Sequence, residues 1–280
     1  MMDMIIRLPG PIFLLYFTLL ATLVIVIAWL WVKTDGSIRY PLPEVTCLSP
    51  FEIAALRDGC RGVIQMALFN LWNNNLITLT GKGNASQIRR VNSSSHQLEN
   101  EIEEILYQFA SIKRRPADFF LDPSVLYRVD KHIKYINLTL EKLHLKRTYS
   151  QLTRSWVALW ISLVIILCLG GIKLYFEIIS GDAVEFLMMI MALFVVITLN
   201  VLTPSQQSQL GQLYLKKLAH HFSHLKTEDN NNIDSSLQVA IFGIQTLAYS
   251  PQFAIFEQVF GKIAIKISNY GTSSGGCGGS

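Results

Sequence analysis

Three long apolar stretches dominate the pattern of hydrophobic and polar positions along the chain. Pro11 to Val32 holds no charged residue. Trp156 to Phe176 holds only Lys173, near enough to its end to snorkel, and Ala183 to Leu202 holds only Glu185, near its start. A bilayer core takes about 20 apolar residues at 1.5 Å each. Unpaired backbone amides are too costly in hydrocarbon, so each stretch is predicted to be a membrane-spanning helix. Trp29, Trp31, Trp156, Trp160 and Tyr175 fall near the predicted ends, where amphipathic rings favour the headgroup layer. The second and third stretches share the short connector Glu177 to Asp182, which predicts a helical hairpin. The first follows only Arg7, is overlong for a signal peptide and has no small-x-small site after Val32, so it reads as an uncleaved anchor.

Between the first and second stretches the period changes. After Pro41 and Pro43, Ser49-Pro-Phe-Glu52 predicts a capping box with proline in the first turn. That helix, from Phe51 to Arg57, is expected to stop near Gly59. A second, from about Arg61, puts Val63, Ile64, Ala67, Leu68, Leu71 and Trp72 on one stripe at the 3.6-residue period. Asn73 to Asn75 ends it, Leu76 to Thr80 alternates as a strand, Gly81-Lys-Gly83 turns, and Gln87 to Val91 returns antiparallel. An acidic amphipathic helix is predicted from His96 to Ser111. Its apolar stripe is Leu98, Ile102, Ile105, Leu106 and Phe109, with Glu99, Glu101, Glu103 and Glu104 on a solvated face. Asp122-Pro123 then opens a helix with Val125, Val129, Ile133, Ile136, Leu140 and Leu143 on one side, long enough to run close to or into the second span.

Beyond Pro204, Leu210, Leu213, Tyr214, Leu218, Phe222 and Leu225 form a further stripe, with Lys216, Lys217, His220, His221 and His224 largely off it. Such a basic amphipathic helix is expected to pack on the preceding domain or lie in the membrane interface. After the polar break Thr227 to Asp234, Leu237 to Ala248 and Phe253 to Ile263 read as two short apolar helices, and Gly271 to Ser280 as a flexible linker-like tail.

Composition sharpens this picture. The 280 residues are 51% hydrophobic and only 16% charged, against about 25% charged in an ordinary soluble domain. Disordered, collagen-like and disulfide-scaffold classes are excluded, and a net charge of +4 is too weak to imply nucleic acid. The expected fold class is mainly α: an integral membrane protein with about three transmembrane helices and a cytoplasmic helical domain containing a small winged-helix-like β-hairpin. Residues 1–33 would be the anchor, 34–155 the cytoplasmic domain, 156–203 the hairpin, 204–266 cytoplasmic amphipathic helices and 267–280 the tail. Lys33, Arg39, Lys142, Lys146, Arg147, Arg154, Lys216 and Lys217 flank one side of the spans, and Arg7 and Lys173 the other. Cationic flanks stay inside, so the N-terminus and the hairpin tip are expected outside and both long segments in the cytoplasm.

Candidate chemistry is sparse. Lys113, Arg114 and Arg115, together with Lys146, Arg147, Arg154, Lys216 and Lys217, are expected to meet anionic lipid headgroups. His220 and His224, four apart, suit one metal ion from one helix face, but no acid stands beside them. Cys277 sits among glycines, a sterically open thiol without the aliphatic neighbours of a prenylation box. The spacing of Cys47, Cys60, Cys168 and Cys277 suggests neither a disulfide framework nor a zinc site, and no cofactor is expected. The triplets at Asn84, Asn92 and Asn137 match the glycosylation pattern, which is common by chance and irrelevant if the segment is cytoplasmic and the host bacterial. Helix, helix, strand, turn, strand is also a winged-helix order. Its reading helix offers Gln65, Asn70 and Asn73 with only Arg61 as a cation, so nucleic acid is not the expected partner. Nucleotide-binding, hydrolase, metalloprotease and haem signatures are all missing.

Leu8-Pro-Gly10, Phe51-Glu-Ile-Ala-Ala-Leu-Arg-Asp-Gly59, the Gly62 to Leu79 helix–strand run, the two-span hairpin, Ala248-Tyr-Ser-Pro251 and the Gly/Cys tail follow one another in a telling order. In this the chain resembles an uncharacterised bacterial membrane-protein family, found in actinobacteria and cyanobacteria among others, with a Gly-rich and often Cys-rich C-terminus. This chain has one tail cysteine where relatives often have many. The resemblance implies bacterial origin and a membrane location, the inner membrane or, in a cyanobacterium, the thylakoid; it supplies no catalytic residues. The expected function is that of a non-enzymatic membrane scaffold, assembly factor or accessory subunit, homo- or hetero-oligomeric, that binds protein partners through its cytoplasmic helices. The alternatives are a membrane-tethered DNA-binding regulator and thiol or metal chemistry at the tail.

Overall fold

The computed structural model describes residues 10–34, 36–80, 86–91, 98, 100–180, 185–203, 205–223, 235–244, 256 and 259–260. In chain order its elements are α1 (Gly10–Lys33), α2 (Pro50–Asn73), β1 (Ile77–Thr80), β2 (Gln87–Arg90), α3 (Glu101–Phe109), α4 (Asp118–Leu121), α5 (Pro123–Lys142), α6 (Tyr149–Ser180), α7 (Glu185–Leu202), α8 (Gln209–His221) and α9 (Ser235–Phe242). The protein is therefore mainly helical, with one two-stranded antiparallel sheet. The chain forms two compact units, Met1–Gly36 with Arg147–Gln206, and Ser37–Lys146 with Gln207–Ser280.

The first unit holds α1, α6 and α7, the three helices long and apolar enough to cross a membrane. α6 starts earlier than the apolar pattern predicts and runs for 32 residues, about 48 Å at 1.5 Å per residue. That exceeds the ~30 Å hydrocarbon thickness, so its polar first turns reach beyond the apolar stretch. α1 buries Phe13, Phe17, Ala21, Ile25 and Ala28 in helical steps and exposes Leu15, Leu19, Leu23 and Val26. The buried seam meets Ile166, Leu187 and Phe194 at one level and Ala158, Leu159, Leu163 and Leu202 at another. In lipid, helices associate by close packing rather than by escape from water, and small residues such as Ala21 and Ala28 permit it. The outward faces stay apolar, as helices surrounded by hydrocarbon require.

The second unit is built around α2. Its capping box is complete: Ser49 N–H donates to Glu52 Oε2 at 2.8 Å, and Glu52 N–H donates back to Ser49 Oγ at 3.3 Å. The two helices expected here form one kinked element. Gly59 sits at φ 62°, ψ −143°, a conformation open to glycine and strained for other residues. The kink releases the carbonyls of Leu56 and Arg57, and the side-chain amide of Gln207 donates to both, at 3.1 and 2.9 Å. Beyond it, residues 62–69 are buried without a break. Asn75, at φ 57°, turns the chain into β1. β1 pairs with β2 in the register Ile77↔Arg90 to Thr80↔Gln87, and Arg114 bridges to Ile88 on the far side of β2.

Asn100 and Asp122 cap α3 and α5 through their side chains. α5 ends at Lys142, and His144 follows at φ 56°. The helix expected to run close to or into the second span therefore stops short of it in the sequence, ending where His144 takes positive φ. Ser208 caps α8 by accepting from Gly211 N–H at 2.9 Å. At Gly211 a Cβ would lie 2.2 Å from the Leu145 carbonyl oxygen, so the close approach depends on glycine. Leu210, Tyr214 and Leu218 of α8 and Val239, Ala240 and Ile241 of α9 share one core with α2, α3 and α5. Phe256 and Phe260 complete it, Phe256 meeting Phe69 edge-on at 5.5 Å. The basic amphipathic helix expected to pack on the preceding domain or lie in the membrane interface thus shares a core with residues 37–146. The tip of the hairpin, the Gly81–Gly83 turn, most of 245–263 and the tail lie outside the described residues.

Candidate functional site

The expected lipid-facing cations divide into exposed and buried sets. Lys113, Arg115, Arg154, Lys216 and Lys217 are exposed. Arg154 lies over the Trp31 ring at 4.8 Å, and Lys33 over Trp29 at 4.2 Å, pairing cation and indole at one end of the apolar helices. Arg114 is half-buried, its guanidinium 4.5 Å from the Phe109 ring, and its backbone exchanges hydrogen bonds with Ile88 at 2.8 and 3.0 Å. Lys146 departs from expectation. It is 7% exposed, its ammonium donates to Asn137 Oδ1 at 2.8 Å, and burial pushes its pKa down to about 8. Arg147 is buried as well, and its backbone N–H donates to Gln206 O at 2.9 Å. Both sit at the point where the chain passes from one unit to the other, which is why a basic flank in the sequence need not be a basic surface. Lys173 also turns inward rather than snorkelling: it is buried 3.7 Å from Glu177 Oε1 and 5.5 Å from the Phe13 ring.

The acidic helix changes character too. Glu103, placed by periodicity on the solvated face, is buried and accepts from the Asn70 side-chain amide at 2.8 Å. Asn70 Oδ1 in turn accepts from the Ser236 hydroxyl at 2.9 Å, so one polar node ties α2, α3 and the start of α9. Glu101 remains outside, 2.8 Å from His132 Nδ1 on α5. Around that pair a groove of about 560 Å³ opens between α3 and α5, with Glu101, Glu104 and Asp130 facing Arg128, Lys131 and Lys134. Small-molecule sites are mostly apolar; this groove carries both signs of charge.

His220 is exposed on α8, and His224 and Cys277 lie outside the described residues. Among the described residues no group of three or more His, Cys, Asp or Glu is placed to hold a metal ion. Cys47 and Cys168 are free and exposed. The helix that a winged-helix reading would send into a DNA groove is the buried segment 62–69, with Gln65 itself buried and Asn70 bonded to Glu103. It presents no free face to a duplex.

Other polar side chains that periodicity did not single out carry much of the architecture. Arg57 Nη1 donates to the carbonyls of Val239 and Ala240 near the end of α9, both at 2.7 Å. The Tyr214 hydroxyl donates to Glu44 O at 3.1 Å, and burial pushes its pKa up to about 12. A lone arginine before Asp58-Gly59 carries no signal in the sequence, because its partners are more than 180 residues away. The chain matches no protein-family model, no curated protein and no solved structure.

Proposed function

We propose that this protein is a non-enzymatic integral membrane platform, a scaffold, assembly factor or accessory subunit, that binds other proteins through its extramembrane helical unit. One observation carries the reading. Five polar side chains of that unit tie its elements together: Arg57 to α9, Glu103 to Asn70, Lys146 to Asn137, Gln207 to the kink of α2 and Tyr214 to Glu44. Buried polar networks of this kind, once satisfied, rigidify and specify a fold. A rigid helical body joined to three apolar helices suits holding a partner at a membrane. The cationic flanks Lys33, Arg154, Lys216 and Lys217 support a cytoplasmic position for it. The order of motifs supports a bacterial inner or thylakoid membrane.

Extraction of the full chain from native membranes in mild detergent, with prior amine cross-linking, tests this partner-binding function. A stoichiometric protein partner is expected; repeated recovery of the chain alone contradicts it.

A further inference from the structure

The outward face of α5 has no role in the packing described above. At about 100° per residue, Lys131 marks the centre of an arc with Tyr127 and Lys134 to one side and Tyr135 and Arg128 to the other. Leu138 and Lys142 continue along its middle. Asp130 and Glu141 fall outside the arc by the same geometry. The opposite side of the helix, Val125, Val129, Ile133 and Leu140, is buried in the core, which fixes the arc toward solvent. Tyr127, Tyr135 and Leu138 are 82, 75 and 55% exposed, unusual for large side chains on a well-packed domain. They alternate with four cations.

We propose that this face binds anionic phospholipid headgroups, such as phosphatidylglycerol. Four cations lie within the arc, and three of them, Arg128, Lys131 and Lys134, also line the groove that holds Glu101, Glu104 and Asp130 at its edge; Lys131 and Lys142 carry the charge complementary to a phosphate. The apolar groups also suit the ligand, because tyrosine rings settle at headgroup depth and a leucine reaches the acyl boundary. Along the chain the face ends close to a candidate span. Six residues separate Lys142 from Tyr149, the first residue of a helix long and apolar enough to cross the bilayer. Arg128 and Lys134, at the two edges of the arc, also make local contacts, with Gln108 at 3.1 Å and Asp130 at 3.2 Å. The inference goes beyond partner binding and stands or falls separately from it.

The test uses the full chain in nanodiscs of phosphatidylcholine alone or with about a third phosphatidylglycerol. Brief acylation with an uncharged amine-reactive reagent, read by mass spectrometry, gives the reactivity of Lys131, Lys134 and Lys142. Anionic discs are expected to slow all three at least about threefold at low salt, and high salt to remove the difference. Leu138→Glu, at an exposed position, should restore the reactivity of all three. The double variant Lys131→Gln with Lys134→Gln should relieve Lys142, each lost cation weakening the contact about fivefold. Equal rates in both discs overturn the proposal, as does slowing that persists in Leu138→Glu, which would reflect general surface potential. Slowing that appears only when membrane-protein extract is added, whatever the lipid, also overturns it, while leaving the protein-partner reading in place.

Discussion

Asn70 on α2 donates its side-chain amide to Glu103 on α3 at 2.8 Å, below the surface of the domain. A charged acceptor strengthens such a bond, and removing it leaves a buried donor unsatisfied. Glu103→Ala is therefore expected to destabilise the second unit by about 2 kcal/mol. Glu101→Ala, two residues away on the exposed side, should stay within about 0.5 kcal/mol. Thermal unfolding of the detergent-solubilised variants checks the contrast; equal losses would place Glu103 at the surface.

Backbone geometry predicts a second pair. Gly59→Ala forces a side chain into the kink conformation at φ 62°, and about 1–3 kcal/mol should be lost. At Gly211, a methyl group meets the Leu145 carbonyl, which belongs to the backbone and cannot rotate away. Gly211→Ala is expected to cost a similar amount by overpacking. Gly171, where a Cβ meets nothing within 4 Å, is the control and should accept alanine without loss. Chemical denaturation midpoints of the three variants decide this.

Stability should depend on pH through Lys146 and Tyr214, with opposite signs. Folded Lys146 releases its proton near pH 8, against 10.5 when unfolded. Between those values the unfolded chain holds more protons, so stability rises with pH from about 8. Tyr214 keeps its proton to about pH 12 when folded, against 10.0 unfolded, so above 10 its contribution is lost as pH climbs. The chain is expected to unfold at a higher temperature at pH 9.5 than at pH 7.5. Lys146→Met should flatten that rise, and an unchanged slope in the variant would show that the ammonium is not buried.

In the apolar unit, Ala21 lies in the α1 seam and Leu19 faces outward, 63% exposed. Ala21→Leu should overpack the seam and cost about 1–3 kcal/mol. Leu19→Ala should change little, because lipid replaces the lost contact. Steric trapping or denaturant titration of the bundle in bicelles distinguishes them; equal effects would contradict the seam.

Much of the fold was legible because its elements carry local signals. The capping box at Ser49–Glu52, the asparagine break after Asn73, the alternating strands and the apolar stripe of α5 each depend on neighbours within one or two turns. The apolar helices were visible from length and charge alone. What stayed hidden is non-local. The burial of Glu103 requires Asn70 and Ser236 to arrive from two other elements, and periodicity on a nine-residue helix cannot announce them. Lys146 looked like a flank cation because it stands in a basic run; the return of Gln207 and Ser208 to the same corner encloses it. Arg57 is silent in sequence for the same reason. The outward face of α5 was available in principle, but only the burial of its other side shows which residues are left to water.

The proposal that matters most is that the three apolar helices cross a membrane with the second unit on the cytoplasmic side. Paired green fluorescent protein and alkaline phosphatase fusions, made after Phe109 and after Ser180, measure this directly. Fluorescence without phosphatase activity is predicted after Phe109, and the reverse after Ser180. Phosphatase activity after Phe109, or recovery of the fusions in the soluble fraction, would contradict the account.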